Sequence, residues 1–496
     1  MLIDSLRRGA ERHPAKRAIV MGSEELTYGE LCGLAAQFAN GLEAAGIGSG
    51  DRVVILLRNR PEFVISLYGV VGVGATAVLL DPSSRSHELG HASRDCQPRA
   101  IITDAPGSSR WREANESTPA LDFTLVIGGD GHADEFWPFV RDRPTTRAWH
   151  AEGDRVATFQ YSSGSTGRAK RIGRTHDQWL SCATALAAAV GFDADDVFLC
   201  VMPLFHSYGC EGLITGLEAG ATMVLQEHVQ PFALNRLETL RLARAWNATV
   251  LQSVPYMFDL LASAPGSEPL PSLRHCGCGG VPLPQATFRA FDDRFGIPIR
   301  QEYGSTETGK MSVNVDRDPR SSWASVGAAL PGMELFVLGE DGEPVAAGTN
   351  GRIAIRTPGL TTDHPYGDAD DSPFVGDLFL TGDVGRLDGE GRLTVNGRTK
   401  VFVEILGEKV DPAEVEEVLA EHPDVKESVV VGVADEGSRS PVLKAVVVCE
   451  SPCREDELIG FCKERLSSFK VPSLIEFRDE IPRSQVGKIL RKDLIS

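Results

Sequence analysis

Along the first hundred residues, apolar positions switch between helical spacing and short unbroken runs. Leu31, Leu34, Phe38 and Leu42 recur every three to four residues after Thr27-Tyr28-Gly29-Glu30. A hydroxyl followed three residues later by a carboxylate is a capping box, so a helix is predicted to begin there, with Gly46 as its stop. Residues 52–57 form an apolar run that predicts a strand. Residues 63–71 predict a helix, and residues 75–80 a second strand closed by Asp81-Pro82. Such alternation predicts an α/β fold with substantial parallel sheet. Residues 103–120 and 129–150 are polar and irregular and are expected to be surface connections. No repeat at a solenoid or propeller period is present.

The pattern changes near residue 400. Residues 411–420 predict a short amphipathic helix, 427–433 and 443–449 strands, 455–466 a helix, and 473–477 a strand. A stretch of this size with its own α+β pattern is expected to form a separate domain. The expected organisation is a large multi-subdomain N-terminal α/β domain with mixed sheets over residues 1–398 and a small C-terminal α+β domain over 399–496. The boundary is placed at Gly397-Arg398-Thr399-Lys400.

Composition narrows the function classes. The chain has 496 residues, 42% hydrophobic and 24% charged, which suits a globular protein of more than one domain. Fifty Lys and Arg against 69 Asp and Glu give a net charge of −19, which argues against a nucleic-acid binder that works by neutralising phosphates. It leaves room for an anionic ligand, because a local site can be positive on a negative protein. The ten cysteines are scattered, mostly in apolar runs, without paired CxxC units, and are expected to be reduced thiols used as small hydrophobes. The first residues are charged and lack an apolar signal core, and the apolar stretch 70–80 is too short to span a bilayer. A soluble, cytoplasmic protein is expected.

Four segments carry candidate chemistry. The first is Tyr161-Ser162-Ser163-Gly164-Ser165-Thr166-Gly167-Arg168-Ala169-Lys170. Its glycines allow close backbone approach, and its hydroxyls, N–H groups and lysine suit an anion. It has the composition of a phosphate loop without the Walker A spacing; the alternative for the loop alone is a flexible Ser/Gly linker. The run Gly72-Val73-Gly74-Ala75-Thr76-Ala77 also fits a loose dinucleotide fingerprint, but it follows a helix and leads into a strand, the reverse of the required order.

The second segment is Gln301-Glu302-Tyr303-Gly304-Ser305-Thr306-Glu307, with an aromatic for base stacking, a hydroxyl for phosphate and a carboxylate for Mg²⁺. The third is Thr381-Gly382-Asp383 with Arg398 downstream, where a carboxylate can accept both ribose hydroxyls. The fourth is Pro482-Arg483-Ser484-Gln485-Val486-Gly487-Lys488 near the C-terminus. Each is weak alone.

Taken in this order, the four segments resemble the adenylate-forming superfamily of acyl-CoA synthetases, nonribosomal adenylation domains and luciferases. The resemblance runs from about Leu26 to Leu494 and includes the Gly-Arg-x-Lys hinge. Two departures stand out. Ala169 and Arg171 replace the usual Pro and Gly around the loop lysine, and Asp377-Leu378 replaces the usual Gly-Trp. Neither removes a group that the chemistry needs.

The resemblance implies an enzyme with two half-reactions: a carboxylic acid and ATP form an acyl-adenylate and pyrophosphate, then a thiol displaces AMP. Bringing two anions together calls for positive charge and Mg²⁺. By the same resemblance, Lys488 bridges carboxylate and α-phosphate; Ser162, Ser163, Gly164, Ser165, Thr166, Gly167 and Lys170 hold the β- and γ-phosphates; Thr306 contacts the α-phosphate; and Glu307 binds Mg²⁺. Tyr303 stacks on adenine, Gly279-Gly280-Val281-Pro282 line its edge, and Asp383 and Arg398 hold the ribose. Lys400 is the hinge of a mobile small domain, and Gly407 lies at the thiol tunnel. Lys488 also resembles a site of reversible acetylation in this family.

The acyl pocket is expected to be lined by His206, Ser207, Tyr208, Gly209, Val254, Gly277, Cys278, Ser305, Gly309 and Lys310; His206 and Tyr208 form either an aromatic wall for a flat ring or ordinary wall packing, and Lys310 is expected to be solvated, with contact to a polar substituent as the alternative. No acidic residue stands where amino-acid-activating domains hold the substrate's ammonium, which disfavours α-amino acids. Aryl acids are favoured, with short- or medium-chain acyl groups as the other class. Coenzyme A is the expected thiol. A carrier protein loaded by a stand-alone domain is the alternative, and an inactive nucleotide sensor a further one. ATP, Mg²⁺, CoA and a small carboxylic acid are thus the expected ligands, with no nucleic acid, for a monomer or homodimer.

Overall fold

The capping box at Thr27 forms. Thr27 Oγ1 accepts the Glu30 amide at 3.2 Å, and Glu30 Oε2 accepts the Thr27 amide at 2.8 Å. The helix runs Tyr28–Ala44 and buries Leu31, Phe38 and Leu42, with Gly46 at φ +77° just beyond it. The strand Arg52–Leu56, the helix Pro61–Gly72 and the strand Thr76–Leu79 follow as expected. Pro61–Gly72 is buried along its whole length, which explains why its sequence is apolar on every face. Gly72 ends that helix and Gly74 lies between it and the strand, as the rejection of a dinucleotide fingerprint requires.

The computed structural model describes the chain except for residues 85, 116–120, 129–133, 150–151, 164–168, 228–231, 267, 362–372, 399–402, 406–407, 411, 435–440, 467–469, 485–488 and 496. The described chain forms two compact units. One comprises Met1–Phe336, Ala354–Phe379 and Asp388–Thr394; the other comprises Val337–Ile353, Leu380–Leu387 and Val395–Ser496.

The first unit holds two large mixed sheets. The seven-stranded sheet has the order Asp134–Glu135, Phe123–Ile127, Ala100–Asp104, Arg52–Leu56, Thr76–Leu79, Val156–Ser163, Ala169–Thr175, and only its last pairing is antiparallel. The nine-stranded sheet has the order Ala328–Ala329, Gly309–Val313, Ile299–Ser305, His275–Cys278, Val250–Ser253, Val197–Cys200, Thr222–Leu225, Arg17–Met21, Glu24–Thr27. Its central strands are parallel and buried on both faces, so they read as continuous runs and not as alternation. One hydrophobic core takes in residues of both sheets and of the helices Tyr28–Ala44, Pro61–Gly72, His176–Val190 and Ser207–Ala219.

Two expected surface connections are partly built structure. Residues 105–114 form the helix Ala105–Ala114, because Asp104 accepts the Gly107 amide at 2.7 Å and Pro106 sits in the first turn. Its buried face is narrow, Gly107, Ser108 and Trp111, so the sequence reads as polar. The short helix Phe136–Val140 packs Phe136 on Phe38, with ring centroids 5.4 Å apart.

The second unit carries the expected α+β pattern: strands Val425–Val433, Val442–Cys449 and Leu474–Phe477 form one sheet, with helices Pro412–Ala420 and Glu455–Lys463. Val415, Leu419, Val430, Ala445, Val447 and Leu458 share its core. The turn at Ser451-Pro452 brings Cys453 back beside Cys449, and the other eight cysteines are free. Among the described residues, no helix is long and apolar enough to cross a membrane.

Candidate active site

The segment containing Tyr303 and Glu307 is a hairpin at the edge of the nine-stranded sheet. Ile299–Ser305 and Gly309–Val313 pair antiparallel, with a bulge between Tyr303 and Gly304. Gly304 is needed at that bulge, since a Cβ there would lie 2.5 Å from Gly309 O. Gly309 closes the turn at φ +67°. Thr306 and Glu307 therefore stand at the tip. Ser305 Oγ and Thr308 Oγ1 lie 3.1 Å apart across it, and the Thr361 amide donates to Glu307 O at 2.7 Å.

A second element meets the tip. His206 caps the helix Ser207–Ala219: its Nδ1 accepts the Tyr208 amide at 3.3 Å, and its main-chain carbonyl accepts the Cys210 amide at 2.9 Å. Ser207 Oγ then reaches Thr306 Oγ1 at 3.3 Å. Gly209 cannot carry a side chain, because a Cβ would collide with Pro203 O. A helix N-terminus directed at a hydroxyl-and-carboxylate turn favours anions on its own side and a cation near Glu307.

Behind the tip lies a buried polar cluster in which the expected pocket residues Tyr208 and Lys310 meet Glu302, Gln252 and His275, which sequence reading did not assign. Glu302 Oε2 accepts from Tyr208 Oη and from Lys310 Nζ, each at 2.7 Å. Glu302 Oε1 accepts from Gln252 Nε2 at 3.2 Å and from His275 Nε2 at 3.3 Å. The Lys310 amide donates to Glu211 Oε1 at 3.0 Å. Burial opposes the charge on Glu302, but the Lys310 ammonium and the hydrogen bonds outweigh it and hold the carboxyl well below its usual range. Burial lowers the His275 pKa, so that ring is neutral. Loss of solvent and the Glu302 charge both raise Tyr208, which stays a phenol and donates. Burial and the same charge raise Cys278, which is therefore an inert thiol.

The expectation of a solvated Lys310 is thus corrected: the residue is buried, paired with Glu302, and its Nζ sits 4.8 Å from the Tyr208 ring centroid. Tyr208 remains partly exposed, and its ring covers this pair. The remaining pocket residues surround the cluster. Gly277 and Cys278 lie in the buried strand His275–Cys278, where a Cβ on Gly277 would collide with Glu302 Oε1. Val254 caps the helix Pro255–Ala262. Gly279 donates its amide to Ser253 O at 3.2 Å, Gly280 adopts φ +88°, and Val281 follows in the turn.

The phosphate-loop segment is described at its two ends. Val156–Ser163 and Ala169–Thr175 pair antiparallel, bringing Ser162 opposite Lys170. The intervening Gly164, Ser165, Thr166 and Gly167 lie outside the described residues, as do Lys400, Gly407 and Lys488. Arg171, the departure beside Lys170, lies over the Phe159 ring at 4.5 Å and faces Asp95 at 3.5 Å, which ties its strand to the neighbouring strand and to the helix Ser86–Cys96. In the second unit, Gly382 takes φ +78° and the Asp383 amide donates to Thr381 Oγ1 at 3.1 Å. Thr381 Oγ1 in turn donates to Ile353 O at 3.2 Å. Arg398 ends the strand Leu393–Arg398.

Comparison with known proteins agrees with this layout. Residues 6–363 match the AMP-binding enzyme family, and residues 414–488 match the AMP-binding enzyme C-terminal domain. The chain is 31% identical to 2-succinylbenzoate–CoA ligase of Bacillus licheniformis, over 100% of each chain. It superposes on ATP-bound MatB from Rhodopseudomonas palustris with a TM-score of 0.88 and 27% identity, covering 100% of this chain and 98% of that one. It likewise superposes on o-succinylbenzoate CoA synthetase from Bacillus subtilis in complex with its acyl-adenylate, with a TM-score of 0.85 and 27% identity over 99% and 98% of the two chains. The chain belongs to the AMP-binding enzyme family, among the adenylate-forming acyl- and aryl-CoA ligases.

Proposed function

We propose that the protein activates a carboxylic acid, an aryl acid in preference to an aliphatic one, as its acyl-adenylate and passes the acyl group to coenzyme A. The observation that carries the reading is the meeting of Ser207 with Thr306 at 3.3 Å, beside the carboxylate-bearing tip at Glu307 and the partly exposed Tyr303. In the first step a carboxylate oxygen attacks the α-phosphorus of ATP, and the bond to pyrophosphate breaks. In the second, the thiol sulfur attacks the acyl carbonyl, AMP leaves with the bonding electrons, and the thiol proton passes to solvent.

Each group has a task that its chemistry suits. Thr306 and the N-terminus of Ser207–Ala219 position the α-phosphate. Ser162, Ser163 and Lys170, with the loop they flank, hold the outer phosphates. Tyr303 stacks on adenine along Gly279, Gly280 and Val281, and Asp383 and Arg398 take the ribose. Lys488 brings positive charge to the point where two anions meet. A carboxylate beside a hydroxyl on a pinned turn is a donor set that suits Mg²⁺, which takes one or two protein carboxylates together with phosphate oxygens. Bound at Glu307, Mg²⁺ would neutralise phosphate charge.

The small C-terminal domain is proposed to turn about Lys400 between the steps, exchanging Lys488 for the segment at Gly407. Lys400→Pro should then slow one half-reaction more than the other, and equal loss of both would count against the turn. The acid-activation reading itself is tested with Lys488→Ala. Acid-dependent ATP–pyrophosphate exchange should fall by orders of magnitude while ATP binding, measured by calorimetry, persists. A wild-type protein that binds ATP without any acid-dependent turnover would instead be a nucleotide sensor.

A further inference from the structure

Thr361 ties together two elements of the site. Its amide donates to Glu307 O at 2.7 Å, and its hydroxyl donates to Gly173 O. Glu307 bears the carboxylate of the hairpin tip. Gly173 follows Lys170 on Ala169–Thr175, the outer strand of the seven-stranded sheet. At about 3.3 Å per residue, Gly173 and Lys170 are about 10 Å apart along that strand. Thr361 is 1% exposed and Gly173 is buried, so the tie is made away from bulk water.

The segment that delivers Thr361 is wedged between the same two elements. Gln178 Nε2 donates to Leu360 O at 2.6 Å, while Gln178 Oε1 accepts the Thr175 amide at 2.8 Å in the cap of the helix His176–Val190. Gly359 is required there, because a Cβ would collide with Cys182 Sγ and Thr308 O. The Gly359 amide donates to Thr357 Oγ1 at 3.0 Å, which tightens the turn before Thr361. A second route also joins the strand to the tip. Arg174 Nη2 donates to Cys182 Sγ at 3.2 Å, and Cys182 Sγ donates to Thr308 O at 3.5 Å. Sulfur is a weak donor and a weak acceptor, so the route through Thr361 is the stiffer one.

We propose that Thr361 is a positioning residue: its amide and its hydroxyl together fix the spacing between the carboxylate of Glu307 and the strand that carries Lys170. This rests on the acid-activation reading above. Mg²⁺ takes one or two protein carboxylates together with phosphate oxygens. In that reading the same phosphates reach Lys170, so an error in the spacing misplaces carboxylate and lysine relative to one ligand. A displacement of about 1 Å can cost about 10²-fold in rate, even when the change lies away from the chemistry. Thr361 acts through Glu307 and Gly173 and is not itself a catalytic group.

The test is acid-dependent ATP–pyrophosphate exchange by the full chain, with benzoate, cinnamate and hexanoate as acids. Melting temperature is measured in parallel, as is calorimetry of ATP binding with and without Mg²⁺. Thr361→Val keeps the shape and the amide and removes the hydroxyl hydrogen bond. It should lower the exchange rate by about 10- to 100-fold and shrink the factor by which Mg²⁺ tightens ATP binding. Thr361→Ala, which leaves room for a water at Gly173 O, is the second variant should Thr361→Val not fold, and it should show the same two losses. Thr361→Ser keeps the hydroxyl and should restore both. In a Glu307→Gln background Thr361→Val should cost about twofold or less, because the group it positions is already gone. A lower melting temperature with an unchanged rate and Mg²⁺ effect would overturn the inference. So would failure of Thr361→Ser to restore them, or an equal cost of Thr361→Val in both backgrounds. Absence of acid-dependent exchange in the wild type would overturn the acid-activation reading, whereas the binding measurement still tests Thr361.

Discussion

Lys310 Nζ lies 2.7 Å from Glu302 Oε2, with the two side chains 3% and 1% exposed. Their strands pair antiparallel across the bulge at Tyr303 and Gly304, so a cation and an anion eight residues apart are buried together beside the site. Removing one partner from such a pair costs far more than removing both, because the survivor is left charged without water. Lys310→Met is expected to destabilise the protein by about 3–5 kcal/mol. Adding Glu302→Gln should recover most of that loss. The check is chemical denaturation of the two single variants and the double variant; additive losses would show that the two residues do not act as a pair.

The anchorage of the first helix, Ile3–Arg12, is expected to be acid-sensitive. The Leu2 amide donates to His176 Nδ1 at 3.2 Å, which requires a neutral ring. Burial and the nearby N-terminal ammonium lower the His176 pKa from 6.5 to about 4, against a smaller opposing effect of Asp4. A base whose folded pKa is depressed takes up its proton more readily when unfolded. Its contribution to stability is therefore complete above pH 6.5 and is lost as the pH falls from 6.5 towards 4. The loss amounts to about 3 kcal/mol. Melting temperature measured across this range should fall on acidification, and His176→Gln should flatten the slope by one proton's worth. An unchanged slope in that variant would contradict the assignment.

Glu307 and Thr306 are expected to matter for chemistry and little for stability, because they stand at a turn whose main chain is pinned by Thr361. Glu307→Gln and Thr306→Ala should each lower acid-dependent pyrophosphate exchange by about 10²- to 10³-fold, the scale of removing one preorganised electrostatic group. Their melting temperatures should stay near that of the wild type. For Glu307→Gln, the residual rate should also respond less to Mg²⁺ concentration than the wild-type rate does.

Legibility in the sequence followed the range of the interactions. The helix after Thr27 was readable because its cap, its apolar spacing and its stop all lie within twenty residues. The hairpin tip at Thr306 and Glu307 was readable because a short motif carries its hydroxyl and carboxylate together. The burial of Lys310 was not readable, since it depends on Glu302 across a bulged pairing and on Tyr208 and His275 from two other elements. A buried strand that carries a glutamate immediately before Tyr303 was the available signal. The helix Ala105–Ala114 was missed because few of its residues face the core.

The most direct measurement is product analysis by mass spectrometry after incubating the protein with ATP, Mg²⁺, coenzyme A and the hydroxy-substituted and unsubstituted aryl acids. The expected result is an acyl-CoA that requires both acid and ATP, formed together with AMP and pyrophosphate. Acid-dependent pyrophosphate exchange without any acyl-CoA would contradict coenzyme A as the acceptor and point to a carrier-protein thiol. ATP consumption that yields ADP, or that ignores the acid, would contradict adenylation itself.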